Sequence, residues 1–253
     1  MTQSPGLQII PIPLADEIRP GDLLLEKLLK ALSHPKRRLQ AGDILVVKHK
    51  IVSKAEGRVV DLNTIHPSAR TRAWAQRYKL DARVTELALH ESKRVLRRKR
   101  GVLITETPHG FICANSGVDV SNVDGGSRAL LLPEDSDRSA AQLHRRLKKH
   151  LQLSIPVIIT DSFGRPWREG LTEVAVGIAG LKALHDYRGR KDPYGYPLRV
   201  SIEAVADELA CAAGLLCGKL AGIPACIIRG YRYRPARGSA RELIRPAAND
   251  LFR

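Results

Sequence analysis

The sequence predicts a chain of mixed helices and strands, and three observations carry that prediction. Short, apolar, β-branched runs read as buried strands: DILVVK at Asp43–Lys48, IPVII at Ile155–Ile159 and ACIIR at Ala225–Arg229. Between them lie stretches with apolar residues at helical spacing, such as Leu23–Leu32 and Ser139–Leu151. At 253 residues and 43% hydrophobic content, the chain can bury one large core or divide into two modest domains.

Taken in order, Leu7–Ile12 is a first strand, and the Leu23–Leu32 helix follows it. The strand Asp43–Lys48 runs into HKIVSKAEGR, a segment crowded with His49, Lys50, Lys54, Glu56 and Arg58. That segment reads either as a polar surface turn or as a phosphate cradle in which Lys54 supplies a point charge. Ser68–Leu80 and Asp81–Arg98 read as helices, the second strongly basic at its end. Gly101–Thr105 and Gly110–Ala114 form a hairpin around Pro108-His-Gly, which makes His109 a turn residue rather than a catalytic base. After the Ser139–Leu151 helix and the Ile155 strand, Thr172–Ala179 is another apolar segment. The polar loop His185–Pro197 is long enough to suggest function. Val200–Cys217 is a helix with Asp207 and Glu208 on its polar side, and Ala225–Arg229 is the last strand.

Charge is the compositional outlier. Forty-two Lys and Arg face 26 acids, a net charge of +16, which concentrates anions such as nucleotides, nucleic acid or polycarboxylates. The basic runs Lys93–Arg100 and His144–His150 read as solvated helix faces, and aromatic content of 4% supplies few platforms for stacking bases. The four cysteines stand in apolar surroundings without a CxxC pair, so they read as buried thiols in a reducing cytoplasm. No run approaches the roughly 20 apolar residues of a membrane helix. MTQSPGLQII lacks a basic region followed by a long apolar core, so secretion is not expected.

Two acidic stretches carry the chemistry. Cys113–Asp124, CANSGVDVSNVD, sets small, amide and acidic residues between apolar runs, with Gly117 permitting a turn. In an extended segment Asp119 points away from its neighbours Val118 and Val120. A carboxylate so placed, with Asn122 following, suits magnesium or manganese; taken alone, the stretch reads better as an Asx-turn loop. The second stretch, IPVIITDSFGRPWREG, ends a buried strand in Thr160, Asp161 and Ser162 before the breakers Gly164 and Pro166. Asp161 with the Ser162 hydroxyl is again hard-cation chemistry, held on a rigid element. Two such sites on separate strands favour metal-assisted phosphoryl chemistry over a pair of loop caps.

Other chemistries are excluded by spacing. Gly214-Leu-Leu-Cys-Gly-Lys has three residues where a Walker A loop needs four, and Leu220 replaces the magnesium-binding hydroxyl. No HExxH, GxSxG or GxGxxG element occurs.

Several stretches together resemble one known family, the coenzyme F420:L-glutamate ligases, or gamma-glutamyl ligases of the deazaflavin coenzyme. They are IPIPLADEIRPGD, IVSKAEGRVVDL, CANSGVDVSNV, ITDSFGRPWREG, VADELACAAGLLCGKLAGIP and IIRG, which cover about Pro11 to Gly230. The resemblance implies a cytoplasmic GTP-dependent ligase that joins L-glutamate to the coenzyme precursor and adds further gamma-linked glutamates. It implies GTP phosphorylating the acceptor carboxylate, an acyl phosphate attacked by the glutamate amine, and release of GDP and phosphate. Two magnesium or manganese ions, with potassium as a further cation, would offset charge on the transferring group.

By motif, the resemblance implies that Asp119 and Asp161 are catalytic and hold one metal, with Ser162 on the second. It places Ile12, Pro13, Leu14, Ala15, His49, Lys50, Lys54 and Asn122 at the nucleotide, with Gly218, Lys219 and Gly222 in a turn closing over it. This sequence departs from the family pattern at Lys219, which replaces a polar or acidic metal ligand, and Glu208 is the candidate substitute. The pair His49-Lys50 likewise replaces smaller hydroxyl residues. The implied fold is a two-domain, family-specific α+β fold with mixed sheets, paired as an intertwined homodimer. The division drawn on this basis gives residues 1–85 and 199–253 to a nucleotide-binding lobe and 86–198 to a second lobe carrying metal ligands. Two alternatives stand beside it: a paralogue acting on another small carboxylate, and a basic nucleic-acid-binding protein. Under the ligase reading the partners are GTP, glutamate and the precursor, with neither membrane nor nucleic acid.

Overall fold

A computed structural model describes residues 6–123 and 125–251, so Asp124 lies outside the described residues. Strand β1 (Gln8–Ile12) opens the chain, and helix α1 (Leu24–Leu32) buries Leu28 and Leu32, one turn apart on the same face. Strand β2 (Ile44–Lys48) is buried at every position but its last. It passes directly into α2 (His49–Ala55), so the segment with two sequence readings is a helix burying His49, Ile51, Val52 and Ser53. Ile51 and Val52 reach the main core, and that apolar gain draws an otherwise polar stretch inward.

After β3 (Val59–Asp61), α3 (Ala69–Tyr78) starts at Ser68, whose hydroxyl accepts from the Thr71 amide. Helix α4 (Ala82–His90) starts at Asp81, which accepts from the Arg83 amide. The helix expected over Asp81–Arg98 therefore stops at His90, and the basic run becomes strand β4 (Arg94–Lys99). Its side chains alternate, with Leu96 and Arg98 half-buried and their neighbours exposed, and Arg98 lies 4.3 Å over the Trp74 ring. Arg100 and Gly101, both at positive φ, turn the chain into β5 (Val102–Glu106), where Glu106 receives Lys93 and Arg94. Period two and a carboxylate on the partner strand override the helical reading.

The expected hairpin forms between β5 and β6 (Ile112–Ala114), with His109 in its turn and the ring Nε2 2.9 Å from the Pro133 and Glu134 carbonyls. Strand β7 (Arg128–Leu130) pairs with β3, and α5 (Ser136–Leu151) follows. Strand β8 (Val157–Arg165) does not end at Thr160: it continues through Gly164 and pairs with β9 (Arg168–Ala179). Pro166 and Trp167, the latter at φ 57, make the turn. The loop after His185 is braced at its base by β10 (His185–Asp186) and β11 (Ile202–Glu203). Helix α6 (Val205–Cys217) and β12 (Ala225–Arg229) complete the elements.

The principal sheet has the order β1-β12-β2-β8-β9, with β2 and β8 parallel and the other pairs antiparallel. Strands β8 and β9, assigned to the 86–198 lobe, share one sheet with strands from the 1–85 and 199–253 segments, because β2 pairs with β8 along its length. A second, smaller core gathers Leu62, Leu87, Ala88, Leu103, Val118, Ala129 and Leu131 beneath the β3-β7 and β4-β5-β6 sheets. No helix among the described residues is long and apolar enough to cross a membrane.

Candidate active site

A cavity of about 480 Å³ opens where β2 passes into α2. Register builds it. Lys48, the last residue of β2, pairs with Thr160 on β8, so the residues that follow each of them, His49 and Asp161, meet. His49 Nε2 lies 3.3 Å from Asp161 Oδ1 and has no aligned hydrogen bond. The β8–β9 pairing shifts register between Ile159 and Thr160, a bulge that re-aims the side chains just before Asp161.

The next residue, Lys50, reaches the other acidic stretch. Its ammonium lies 2.7 Å from Asp119 Oδ2 and donates to the Ser121 carbonyl and hydroxyl at 2.8 and 2.7 Å. Consecutive residues of one helix thus bring Asp161 and Asp119 together. The Asx-turn expected as the bland reading is also present, with the Ser121 amide donating to Asp119 Oδ1 at 2.7 Å. Asp119 is fixed from behind by paired backbone bonds with Leu130, at 3.0 and 2.8 Å.

The approach to Asp119 is strained. Asn115, Ser116 and Gly117 all have positive φ, which costs free energy for the first two. Ser116 is held there by its amide donating to Thr105 Oγ1, by a 2.8 Å contact between the two hydroxyls, and by its own bond to the Ala88 carbonyl.

Burial pushes the Asp161 carboxyl up, but the His49 ring and the Ser162 amide outweigh it, leaving the group below the usual carboxylate range; the Asp119 charge opposes them. Asp119 is also pushed up by burial and brought lower overall by Lys50 and Ser121. Both acids are therefore ionised at neutral pH and close enough to repel. Near them the buried Cys113 thiol is pushed up to about 12 by burial and by the Asp161 charge. We expect iodoacetamide at pH 8 to leave Cys113 unmodified in the native protein and to label it after denaturation. Equal labelling in both states, read by mass spectrometry, would mean that the Asp161 surroundings are open to water.

Around these acids the cavity collects ammonium groups. Lys54 binds Glu17 at 2.8 Å, Lys219 donates to Ser162 Oγ at 2.5 Å, and Lys48 pairs with Glu173. The four lysines of the lining, Lys48, Lys50, Lys54 and Lys219, face four acids, Asp16, Glu17, Asp161 and Glu173. A wall balanced in this way suits an anion that arrives with its own counter-cations better than a bare polyanion.

Of the residues singled out in the sequence, Leu14, Ala15, His49, Lys50, Lys54, Asn122, Asp161, Ser162, Gly218, Lys219 and Gly222 line the cavity. Asp119 joins it through Lys50. Ile12 is fully buried and serves the main core, and Pro13 is outside the lining. Glu208 is exposed in the first turn of α6, whereas Cys217 at the opposite end of that helix lines the cavity, so Glu208 stands away from the other candidates.

Sequence reasoning missed Lys48 and Glu173. Lys48 was absorbed into the strand DILVVK, although the last residue of a strand is where a side chain can leave the sheet. The signal for Glu173 was a lone acid within the apolar run TEVAVGIA.

The donors present fit a hard divalent cation in kind: two ionised carboxylates and a hydroxyl, all oxygen. Among the described residues no three His, Cys, Asp or Glu side chains form a ready-made cage. That is compatible with magnesium, which takes one or two carboxylates and completes its shell with water and substrate phosphates.

The pattern of the F420-0:gamma-glutamyl ligase family matches residues 14–230. The chain is 42% identical to the coenzyme F420:L-glutamate ligase of Methanopyrus kandleri, over 98% of each chain. It is 41% identical to the protein of the same name from Methanothermobacter thermautotrophicus, over 98% of this chain and 99% of that one. With that of Methanocaldococcus jannaschii the identity is 40%, over 85% and 86%. By its sequence along nearly its whole length, this chain belongs to the F420-0:gamma-glutamyl ligase family.

Proposed function

We propose that this ligase joins L-glutamate to the deglutamylated coenzyme F420 precursor, then adds further gamma-linked glutamates, at the expense of GTP. One observation carries the reading: Asp161 and Ser162 face Lys48, His49 and Lys50 across a single cavity that Lys54 and Lys219 also line. Such a wall meets a nucleotide's terminal phosphates from several sides. Leu14, Ala15 and the turn at Gly218–Gly222 bound the nucleotide, and Asn122 orients it.

GTP transfers its terminal phosphoryl group to the precursor carboxylate and leaves as GDP; the glutamate amine then attacks the acyl phosphate, loses a proton, and inorganic phosphate leaves. Asp119, Asp161 and Ser162 would hold magnesium or manganese, which when bound supplies charge neutralisation at the phosphates. Lys50 and His49 set the direction of the two carboxylates. Lys54 and Lys219 hold the phosphates in line, and apolar groups such as Leu14, Ile223 and Pro224 keep water from the acyl phosphate. Net positive charge draws in the substrates, all of them anions. We further propose a cytoplasmic homodimer of two-lobed protomers, the smaller lobe centred on the Leu62–Leu131 core.

The test is incubation with GTP, manganese, labelled glutamate and deglutamylated coenzyme. We expect one GDP released for each amide formed. Conjugate formed equally well without GTP, or none in its presence, rejects the reading. A paralogue acting on another carboxylate would instead release GDP only with that acceptor.

A further inference from the structure

We propose that Lys48 and Glu173 work as a pair in this cavity: Lys48 contacts a phosphate oxygen of the bound ligand, and Glu173 positions it. The proposal rests on the ligase reading and extends it to two residues outside the acidic stretches.

A carboxylate in the apolar strand β9 is costly to bury, and an aliphatic side chain would fill the same space without that cost. Glu173 is nevertheless buried, with both oxygens committed. Oε1 takes the Lys48 ammonium, and Oε2 accepts from the Thr160 hydroxyl at 2.9 Å. Thr160 directly precedes Asp161, so the pair is locked to the strand that carries the candidate metal ligand. The neighbouring helix is shaped for it. At Gly214 of α6 a Cβ would overlap the Glu173 Cγ, and Cys211 Sγ donates to the Glu173 carbonyl at 3.1 Å. Glycine weakens a helix interior, so Gly214 keeps the carboxylate's seat open against the helix's own preference.

Both residues reach the cavity wall. The Lys48 side chain is 18% exposed, its charge offset but not enclosed. An arriving phosphate oxygen can share that ammonium without displacing it. Glu173 then works against affinity, because it repels the ligand, and in favour of alignment, because it fixes the ammonium in one place.

Two measurements decide the matter: calorimetric titration with inorganic tripolyphosphate as its magnesium salt, and steady-state ligation. Lys48→Met should raise the tripolyphosphate Kd about tenfold, the scale of one charged hydrogen bond. Glu173→Gln keeps an acceptor for Thr160 and removes the charge. It should bind tripolyphosphate as well as or better than the wild type, yet turn over about tenfold more slowly, the mark of lost alignment rather than lost binding. Gly214→Ala, which moves Glu173 with its charge intact, should give the same fall in kcat, with circular dichroism melting to confirm folding. Lys48→Arg should restore part of the affinity lost in Lys48→Met. A structural ion pair would lower the melting temperature and leave kcat unchanged. Wild-type kcat in Glu173→Gln, or wild-type Kd in Lys48→Met, overturns the proposal. If the wild type binds tripolyphosphate but forms no conjugate, the ligase reading and the positioning role fall together, while the Lys48 titration still decides the phosphate contact.

Discussion

Asp161→Asn should lower kcat for glutamate ligation by about 10²- to 10³-fold, the effect of removing one preorganised electrostatic group from a phosphoryl site. The substitution is nearly isosteric. The amide oxygen can still accept from the Ser162 amide, which reaches Oδ1 at 2.7 Å in the native protein. What disappears is the charge, and with it the attraction for a cation and the partner of the buried His49 ring. Folding should survive, because the substituted amide keeps the volume of the carboxylate and its bond from the Ser162 amide. We expect the melting temperature at pH 7 to fall by no more than about 4 °C. The sign of the pH dependence follows from the depressed Asp161 pKa. A carboxyl depressed in the folded state contributes stability above its unfolded pKa, near 3.9, and loses that contribution as pH falls through the folded value. The stability gap between variant and wild type should therefore close in acid. Steady-state rates and melting curves across pH check both halves. Normal turnover in the variant would remove Asp161 from the mechanism, and an unfolded variant would make it a structural residue.

What could be read from the sequence divides along a physical line. Strands such as Ile44–Lys48 and Ala225–Arg229 were legible because each is apolar, short and bounded, and the β5–β6 hairpin because its turn residues are local. Asp119 and Asp161 stood out because acids between apolar runs are conspicuous. The basic run at Arg94–Lys99 misled because arginine and lysine suit a solvated helix as well as an edge strand; Glu106, on the partner strand, decides the matter. The β2–β8 pairing was not legible, because it joins residues remote in sequence, which local periodicity cannot report. The place of Glu208 was hidden for a different reason. Its helix was found, but only the fold shows which end of α6 meets the cavity.

Gly117→Ala should cost about 2–5 kcal/mol of stability, from two separable causes. Gly117 has φ +73°, where an alanine incurs about 1–2 kcal/mol of steric cost. A Cβ there would also stand 2.9 Å from Cγ and Cδ1 of Leu132, a side chain only 3% exposed within the main core. Leu132 has little room to retreat, and overpacking of this kind typically costs about 1–3 kcal/mol. Gly57→Ala isolates the first cause, since Gly57 has φ +72° with nothing within 4 Å of the added methyl. It should lose only about 1 kcal/mol, and the difference between the two variants in urea midpoint, at equal m-values, measures the packing. Adding Leu132→Ala to Gly117→Ala should then recover part of the clash, so that the two changes combine non-additively. The consequence for chemistry follows from position. Gly117 ends the strained Asn115–Gly117 turn, and Asp119 is two residues on, held by Leu130 behind and Lys50 in front. Displacing the turn should therefore lower kcat as well as stability, whereas Gly57→Ala should leave kcat near the wild-type value. If the two alanine variants lose equal stability and neither loses turnover, Leu132 yields to the methyl, and Asp119 owes its place to Lys50 and Leu130 alone.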